Sequence, residues 1–510
     1  MNPGTQSIVI IAVIIFGASI LGLIAGRRQR KDLENWTVGG RRFGSVLIWF
    51  LMGGEIYTTF TFLGVSGYAY ENGAPAFYIL VYVALGYALG YYYLMPLIWK
   101  MAKRFQFITQ PDFFEKRFQS RWVAGLVALT GIAFNIPYIQ LQLTGLGAIV
   151  HFTSRGAINS TLAMICGFVL VVLFVMVSGL RAIAWTSVVK DILMIGTVFV
   201  LGIGIPVAYF GGIGPLFHHL IATNPKILVL PGSSKVLGIP WFMSTVALTA
   251  MGFSMYPQAW PSIYSARDSE VIRRNAIFLP FYQISMLLMF FVGFSALIVL
   301  PRLSPLQGNF SLLLLAARTF PAWLLGVIGG AGALAAMIPG AIIVFAAATA
   351  FSRNIYKVFF RPHASDAEIM RVSKFSIIGL ILIGLFFAIV APTGLVPLLL
   401  LSFDGMTQFF PAVVFSFTWR HVTAAGVLSG MLTGLITVAL LVLSHHDPIF
   451  GINAGLIGLA LNTVVTVVVS TVTQTPDLKI VEVFTHALIR NGQMGADVMT
   501  DGLKSGATEE

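Results

Sequence analysis

The chain is built from long runs of apolar residues separated by short polar loops. One of them reads IGLILIGLFFAIVA (residues 378–391). An α-helix needs about 20 such residues to cross roughly 30 Å of hydrocarbon. A β-barrel would show short alternating segments instead. Helices and closed barrels are the only structures that satisfy every backbone N–H and C=O inside a bilayer, so the pattern predicts an all-α membrane protein. Of the 510 residues, 57% are hydrophobic and 10% are charged, too few charges to cover a soluble surface.

Thirteen transmembrane helices are expected, at about 7–26, 45–69, 76–99, 122–150, 160–178, 183–210, 241–262, 276–300, 321–350, 375–392, 396–418, 422–443 and 450–471. Of the 31 Lys and Arg residues, 25 fall on one side: 27–42, 100–121, Arg181, 267–274, 353–374, Arg420 and the tail. The opposite loops hold five, namely Arg155, Lys226, Lys235, Arg302 and Arg318, and Lys190 lies within a span. The positive-inside rule makes the richer side cytoplasmic, with the N-terminus outside and the C-terminus inside. The net charge of +12 therefore sets orientation, and no nucleic-acid partner is expected. The first run lacks a basic leader and an A-x-A-like site, so it reads as a retained helix. The single cysteine, Cys166, sits in an apolar run, where a packing role inside the protein is expected. Residues 1–471 form one transmembrane domain, and 472–510 form a cytoplasmic tail near or below the size that folds unaided.

Two spans carry helix breakers near their middles. Span two reads WFLMGGEIYTTFTFLG, with Gly53 and Gly54 before Glu55; span seven holds Gly252, Pro257 and Pro261. Breaks in corresponding positions of two halves mark the substrate site of many secondary transporters, although Gly and Pro also serve packing in membrane helices. The two spans are five apart, as if each opened a five-helix repeat (about 45–210 and 241–418). An odd helix count inverts the second copy, and backbone groups freed at the breaks can bind substrate and ion.

Five segments carry a resemblance: WTVGGRRFG (36–44), GLRAIAWTSVVKDILM (179–194), SARDSEVIRRNAI (265–277), AFSRNIYK (350–357) and FPAVVFSFTWRHVTAAGVLSGMLTG (410–434). With them the chain resembles the sodium:solute symporter family. The resemblance implies thirteen helices, a leucine-transporter-like core of two inverted five-helix repeats, alternating access and a bacterial inner membrane. GGEIYTTFTFLG in span two is most similar to the monocarboxylate permease branch, which implies lactate, pyruvate or acetate as substrate. The alternatives are sodium-coupled symport of another small organic solute, such as an amino acid or pantothenate, or a channel with an oligomeric pore ring.

The sequence departs from the family where sodium is held. The Ser/Thr pair that sodium-coupled members offer from span nine aligns with Ile338 and Pro339, which have no side-chain oxygen. Ser187 stands where those members have an aspartate, and Lys190 stands where they are uncharged. An ammonium can occupy the space of a bound sodium and hold the helices together. The expected coupling ion is therefore the proton, with Lys190 and Glu55 as candidate carriers that would titrate as a unit. The plainer reading of Lys190 is a stem snorkelling to the interface. Asp191 is expected as a structural partner, and Asp404 either gates or makes a packing hydrogen bond. The candidate substrate site comprises Gly53, Gly54, Tyr57, Thr58, Thr59, Tyr138, Gln142, Tyr256, Gln258 and Trp260; ordinary packing is the competing role of each aromatic. Tyr138 and Gln142 share a helix face by their spacing. A small organic anion would need a few N–H or O–H donors there. No phosphate-binding loop, metal cluster or catalytic motif is present, so neither an enzyme, a cofactor nor a metal is expected.

Overall fold

A computed structural model describes residues 2–26, 32–474 and 479–487. Arg27, Arg28, Arg30 and Lys31, and most of the expected tail, lie outside these residues. Helices dominate throughout; among the described residues the β-structure is confined to two isolated bridges, Phe43 with Ala266 and Ile449 with Ile452. Among the described residues ten helices are long and apolar enough to cross a membrane, or eleven when the bent pair Ser45–Ile56 and Phe60–Asn72 counts as one span. Two shorter apolar helices, Ser160–Met176 and Ile239–Phe253, occupy expected spans five and seven. A backbone break follows each of them. Gly179 separates spans five and six with φ +61, a left-handed conformation suited to glycine, and a Cβ there would lie 2.9 Å from Trp36.

Span nine (Ala322–Phe360) is the hub: 94% of its apolar window is buried, against 22% for span one (Pro3–Ala25). Its run of Gly and Ala lets neighbours approach closely, with Gly326 against Ile10, Gly330 against Ile14 and Gly332 against Phe62. In spans ten, twelve and thirteen 33% of the corresponding window is buried. Cys166 is exposed on the outside of span five, not in the core. A membrane helix apolar on every side gives no sequence signal of which face is inward.

A short helix, Gln110–Phe118, lies between spans three and four and ties several helices together. Thr109 and Asp112 form a reciprocal capping box at its start. Asp112 also pairs with Arg353 at 3.0 Å and accepts from Asn354 at 2.8 Å, both at the end of span nine. Arg117, fully buried, donates from Nε to the Ser416 carbonyl at 3.1 Å, at the end of span eleven. Phe484, from the described part of the tail, packs on Phe105, Phe113 and Phe417.

Candidate functional site

Span two does not break at Gly53–Gly54. Its first half continues to Ile56, and the chain leaves the helix at Tyr57 (φ −84, ψ 85) before re-entering through a π-helical turn at Phe60–Gly64. Inside a membrane every group so freed needs a partner. The Gly54 and Tyr57 carbonyls both accept from the Lys190 ammonium, at 2.9 Å each. The Ile56 carbonyl accepts from Thr61 Oγ1 and from the Thr58 N–H. Gln142 Oε1 takes the Thr59 N–H at 3.3 Å, and Thr58 Oγ1 takes that of Phe60 at 3.1 Å. The glycines serve close approach: a Cβ on Gly54 would sit 3.2 Å from Ser187 Oγ and 3.5 Å from Lys190 Nζ.

Lys190 and Asp191 are both fully buried and form an ion pair at 2.8 Å. The ammonium is thus held by a carboxylate and two main-chain carbonyls, an arrangement of oxygens that would suit a small cation. Lys190 does not snorkel to the interface. Ser187, one turn earlier, donates to its own helix at Ile183.

The break in span seven falls between Phe253 and Ala259 and is also satisfied by side chains. The Trp260 indole donates to the Ser254 carbonyl at 3.1 Å, and Gln110 Nε2 donates to the Met255 carbonyl at 2.7 Å. The two breaks meet at Glu55, whose carboxylate accepts from Ser262 of span seven at 2.9 Å and from Tyr91 of span three at 3.4 Å. Lys190 lies within electrostatic reach of Glu55.

Between the breaks lies a small cavity of about 40 Å³. Glu55, Thr58, Tyr138, Tyr256 and Gln258 line its polar side, and Phe253, Pro339, Ile342, Ile343 and Phe403 are among its apolar lining. The Tyr138 and Tyr256 rings lie 5.6 Å apart, and the Tyr256 hydroxyl is buried against Ser402. Asn135 Nδ2 donates to Gln258 Oε1 at 3.4 Å.

The other expected site residues lie elsewhere. The Tyr57 side chain turns away to Ser285 and Tyr282, and only its carbonyl meets Lys190. Thr59 packs on Gly145 of span four, and Gln142 serves the Thr59 N–H. Trp260 is fully buried on Phe113, Phe114 and Tyr264. Asp404 accepts the Gly455 N–H at 3.0 Å, while Asp447 accepts that of Ala454 at 2.8 Å, so the two carboxylates cap the last span. Asp404 and Asp447 also border a second cavity of about 720 Å³, with Tyr68, Gln140, Trp241 and Asn453. Sequence reasoning missed Asn135, Ser262 and Tyr91. Asn135 had a signal: it shares the face of Tyr138 and Gln142 at spacings of three and seven residues.

Residues 36–434 match the model of the sodium:solute symporter family. The chain belongs to this family. An uncharacterised symporter of Bacillus subtilis (strain 168), YhjB, is 41% identical over 477 residues, covering 91% of this chain and 97% of the relative. A monocarboxylate transport permease of Rhizobium johnstonii is 30% identical, covering 90% of this chain and 96% of the relative. A Na+-coupled sialic acid symporter, solved in a substrate-bound outward-open state, shares the fold with TM-score 0.78 at 17% identity, covering 93% and 99% of the two chains. Mhp1, a nucleobase-cation-symport-1 family transporter, matches with TM-score 0.56 at 12% identity, covering 90% and 99%. The fold is leucine-transporter-like, and this family member is a multi-pass membrane symporter.

Proposed function

We propose that this symporter takes up short monocarboxylates such as lactate, pyruvate or acetate by alternating access, with the proton as coupling ion. The observation that carries the coupling is the Lys190 ammonium, seated on the Gly54 and Tyr57 carbonyls and on Asp191. A tethered cation fills the place that a free sodium ion would need, and Ile338 and Pro339, which align with the family's sodium-binding Ser/Thr pair, have no side-chain oxygen. The cavity adds a second argument. An acid entering it meets the Glu55 carboxylate, and two carboxylates in one buried chamber are stable only when they share a proton or gain a cation. Substrate and proton would then travel together. Glu55 and Lys190 act as the coupled carriers. Sodium coupling, the second reading, draws on the family's name; it requires oxygen ligands at another place.

The substrate class is supported by the cavity and by the Rhizobium relative. At about 40 Å³ the cavity excludes bulky solutes, and short acids are the organic anions that require the least enlargement of it. Tyr138, Tyr256, Thr58 and Gln258 supply O–H and N–H donors, and the apolar lining accepts a short carbon tail. The proposed topology has thirteen spans, counting the bent pair and the two short helices, with repeats at 45–210 and 241–418. The N-terminus is outside, and the tail from 472 is cytoplasmic. In this orientation the 720 Å³ cavity is an outer vestibule, and Asp404 at its floor holds the last span in place.

The test is counterflow in proteoliposomes loaded with unlabelled solute. Labelled lactate, pyruvate or acetate should accumulate transiently and saturably. Exchange of proline or pantothenate in preference to every short acid would overturn the substrate reading.

A further inference from the structure

We propose that Ser262 is a positioning residue for the coupling proton: when Glu55 is protonated, its Oε1–H donates to Ser262 Oγ, and the Ser262 hydroxyl turns its own proton to the Gln258 carbonyl. This rests on the proton-coupled reading and deepens it by giving the proton a seat. A proton carrier inside a membrane must be satisfied in both of its states, because an unmatched buried polar group is costly. An ionised carboxylate only accepts hydrogen bonds, whereas a protonated carboxyl also needs an acceptor for its O–H.

Glu55 has a donor on each oxygen. Ser262 donates to Oε1 at 2.9 Å, and Tyr91 donates to Oε2 at 3.4 Å. That arrangement suits the ionised form. The protonated form needs one of the two partners to turn round. Both are buried at 1% exposure, so a hydroxyl that turns must find its acceptor in the protein. Among the described residues no acceptor other than Glu55 is found for the Tyr91 hydroxyl. Ser262 has one: its Oγ lies 3.1 Å from the Gln258 carbonyl, one turn back. Rotation of a single hydroxyl therefore satisfies both states, and Ser262 neither gains nor loses a proton. Tyr91 donates to Oε2 in either state. The proton then sits between spans two and seven. Its arrival moves a hydrogen bond onto Gln258, the residue that caps the second half of span seven. Lys190 of span six, Tyr87 of span three and Tyr138 of span four are the other titratable groups within electrostatic reach of Glu55.

The experiment is infrared difference spectroscopy, acid minus alkaline pH, on the full chain in proteoliposomes. The Glu55 bands are those that vanish in Glu55→Gln. A carboxylic C=O stretch rises in wavenumber when the group loses a hydrogen bond. In Ser262→Ala, which removes one atom, the Glu55 carboxylic-acid band should rise and its carboxylate band should move too. Ser262→Thr keeps the hydroxyl and should return both bands to their wild-type positions. If Ser262→Ala fails to insert, Ser262→Cys, a weaker donor and acceptor, is read in its place. An acid band that stays put while the carboxylate band moves means that Ser262 serves the ionised form alone. That result overturns the inference and leaves proton coupling intact. A shift in Ser262→Thr equal to that in Ser262→Ala overturns it as well, since the hydroxyl is then not the cause. Absence of any Glu55 acid band from the wild type overturns Glu55 as the carrier, and this inference with it.

Discussion

Lys190 and Asp191 form a buried ion pair at the centre of the molecule, and such a pair costs most when only one partner is removed. Lys190→Ala leaves the Asp191 carboxylate buried without its cation and should destabilise the protein by about 3–5 kcal/mol. The double change Lys190→Met with Asp191→Leu should recover most of that loss. Thermal unfolding in detergent measures both; equal losses in the single and double variants would contradict the pairing. A second prediction separates residues that line the cavity from those that do not. Thr58→Ala and Tyr256→Phe should raise the KM for lactate about tenfold or more, since a hydrogen bond to a charged group is worth about 1.5–3 kcal/mol. Tyr57→Phe should leave it within about twofold, because that hydroxyl meets Ser285. A KM read from counterflow in which Tyr57→Phe behaves like Thr58→Ala would show that the cavity is drawn wrongly. The sequence allowed Glu55, Lys190 and the polar residues near both breaks to be picked out by their rarity in apolar runs. It could not show which way each turned. Tyr57 leaves the helix with ψ 85, so its carbonyl, not its ring, serves the site. Trp260 and Gln142 are spent on backbone groups that only the break geometry exposes.

At the scale of elements, the helix Gln110–Phe118 fastens spans seven, nine and eleven at one end of the molecule. Burial alone would raise the Asp112 carboxyl, but Arg353, the Ile108 and Thr109 N–H groups and Asn354 outweigh it and hold Asp112 below the usual carboxylate range. Its stabilising contribution is therefore complete above its ordinary value near 4 and is lost only as pH falls through the lower folded value. The wild-type tie should be insensitive to pH between about 5 and 8. Arg353→Gln removes the counter-charge and strands a buried carboxylate, so stability should fall by about 3–5 kcal/mol at pH 7. In that variant the largest of the effects opposing burial is gone and only the Ile108, Thr109 and Asn354 hydrogen bonds remain, so Asp112 takes up a proton at higher pH than in the wild type and the deficit should shrink on acidification. Unfolding temperatures across that range check the sign; a deficit that grows on acidification would contradict it. The apolar runs made the helices legible. The tie was not, because Asp112 and Arg353 stand 241 residues apart in the chain. The break in span two, at Tyr57, lies three to four residues beyond Gly53–Gly54, whose glycines suggest a hinge but serve the approach of span six.

At the scale of the whole molecule, the membrane class and the family follow from hydropathy and from five short motifs, and both agree with the fold. The count of spans depends on how broken segments are treated: thirteen runs in the sequence become ten or eleven long helices and two short ones. The coupling ion is the point at which family membership and local geometry pull apart. The family's name points to sodium, and the buried ammonium of Lys190 on two freed carbonyls points to the proton. Uptake of labelled lactate by proteoliposomes at fixed pH, with and without an inward sodium gradient and then with an inward proton gradient, decides between them. The account predicts accumulation driven by the proton gradient and indifferent to sodium, lost in Lys190→Ala and Glu55→Gln while exchange persists. Accumulation driven by sodium and unmoved by an inward proton gradient would contradict it.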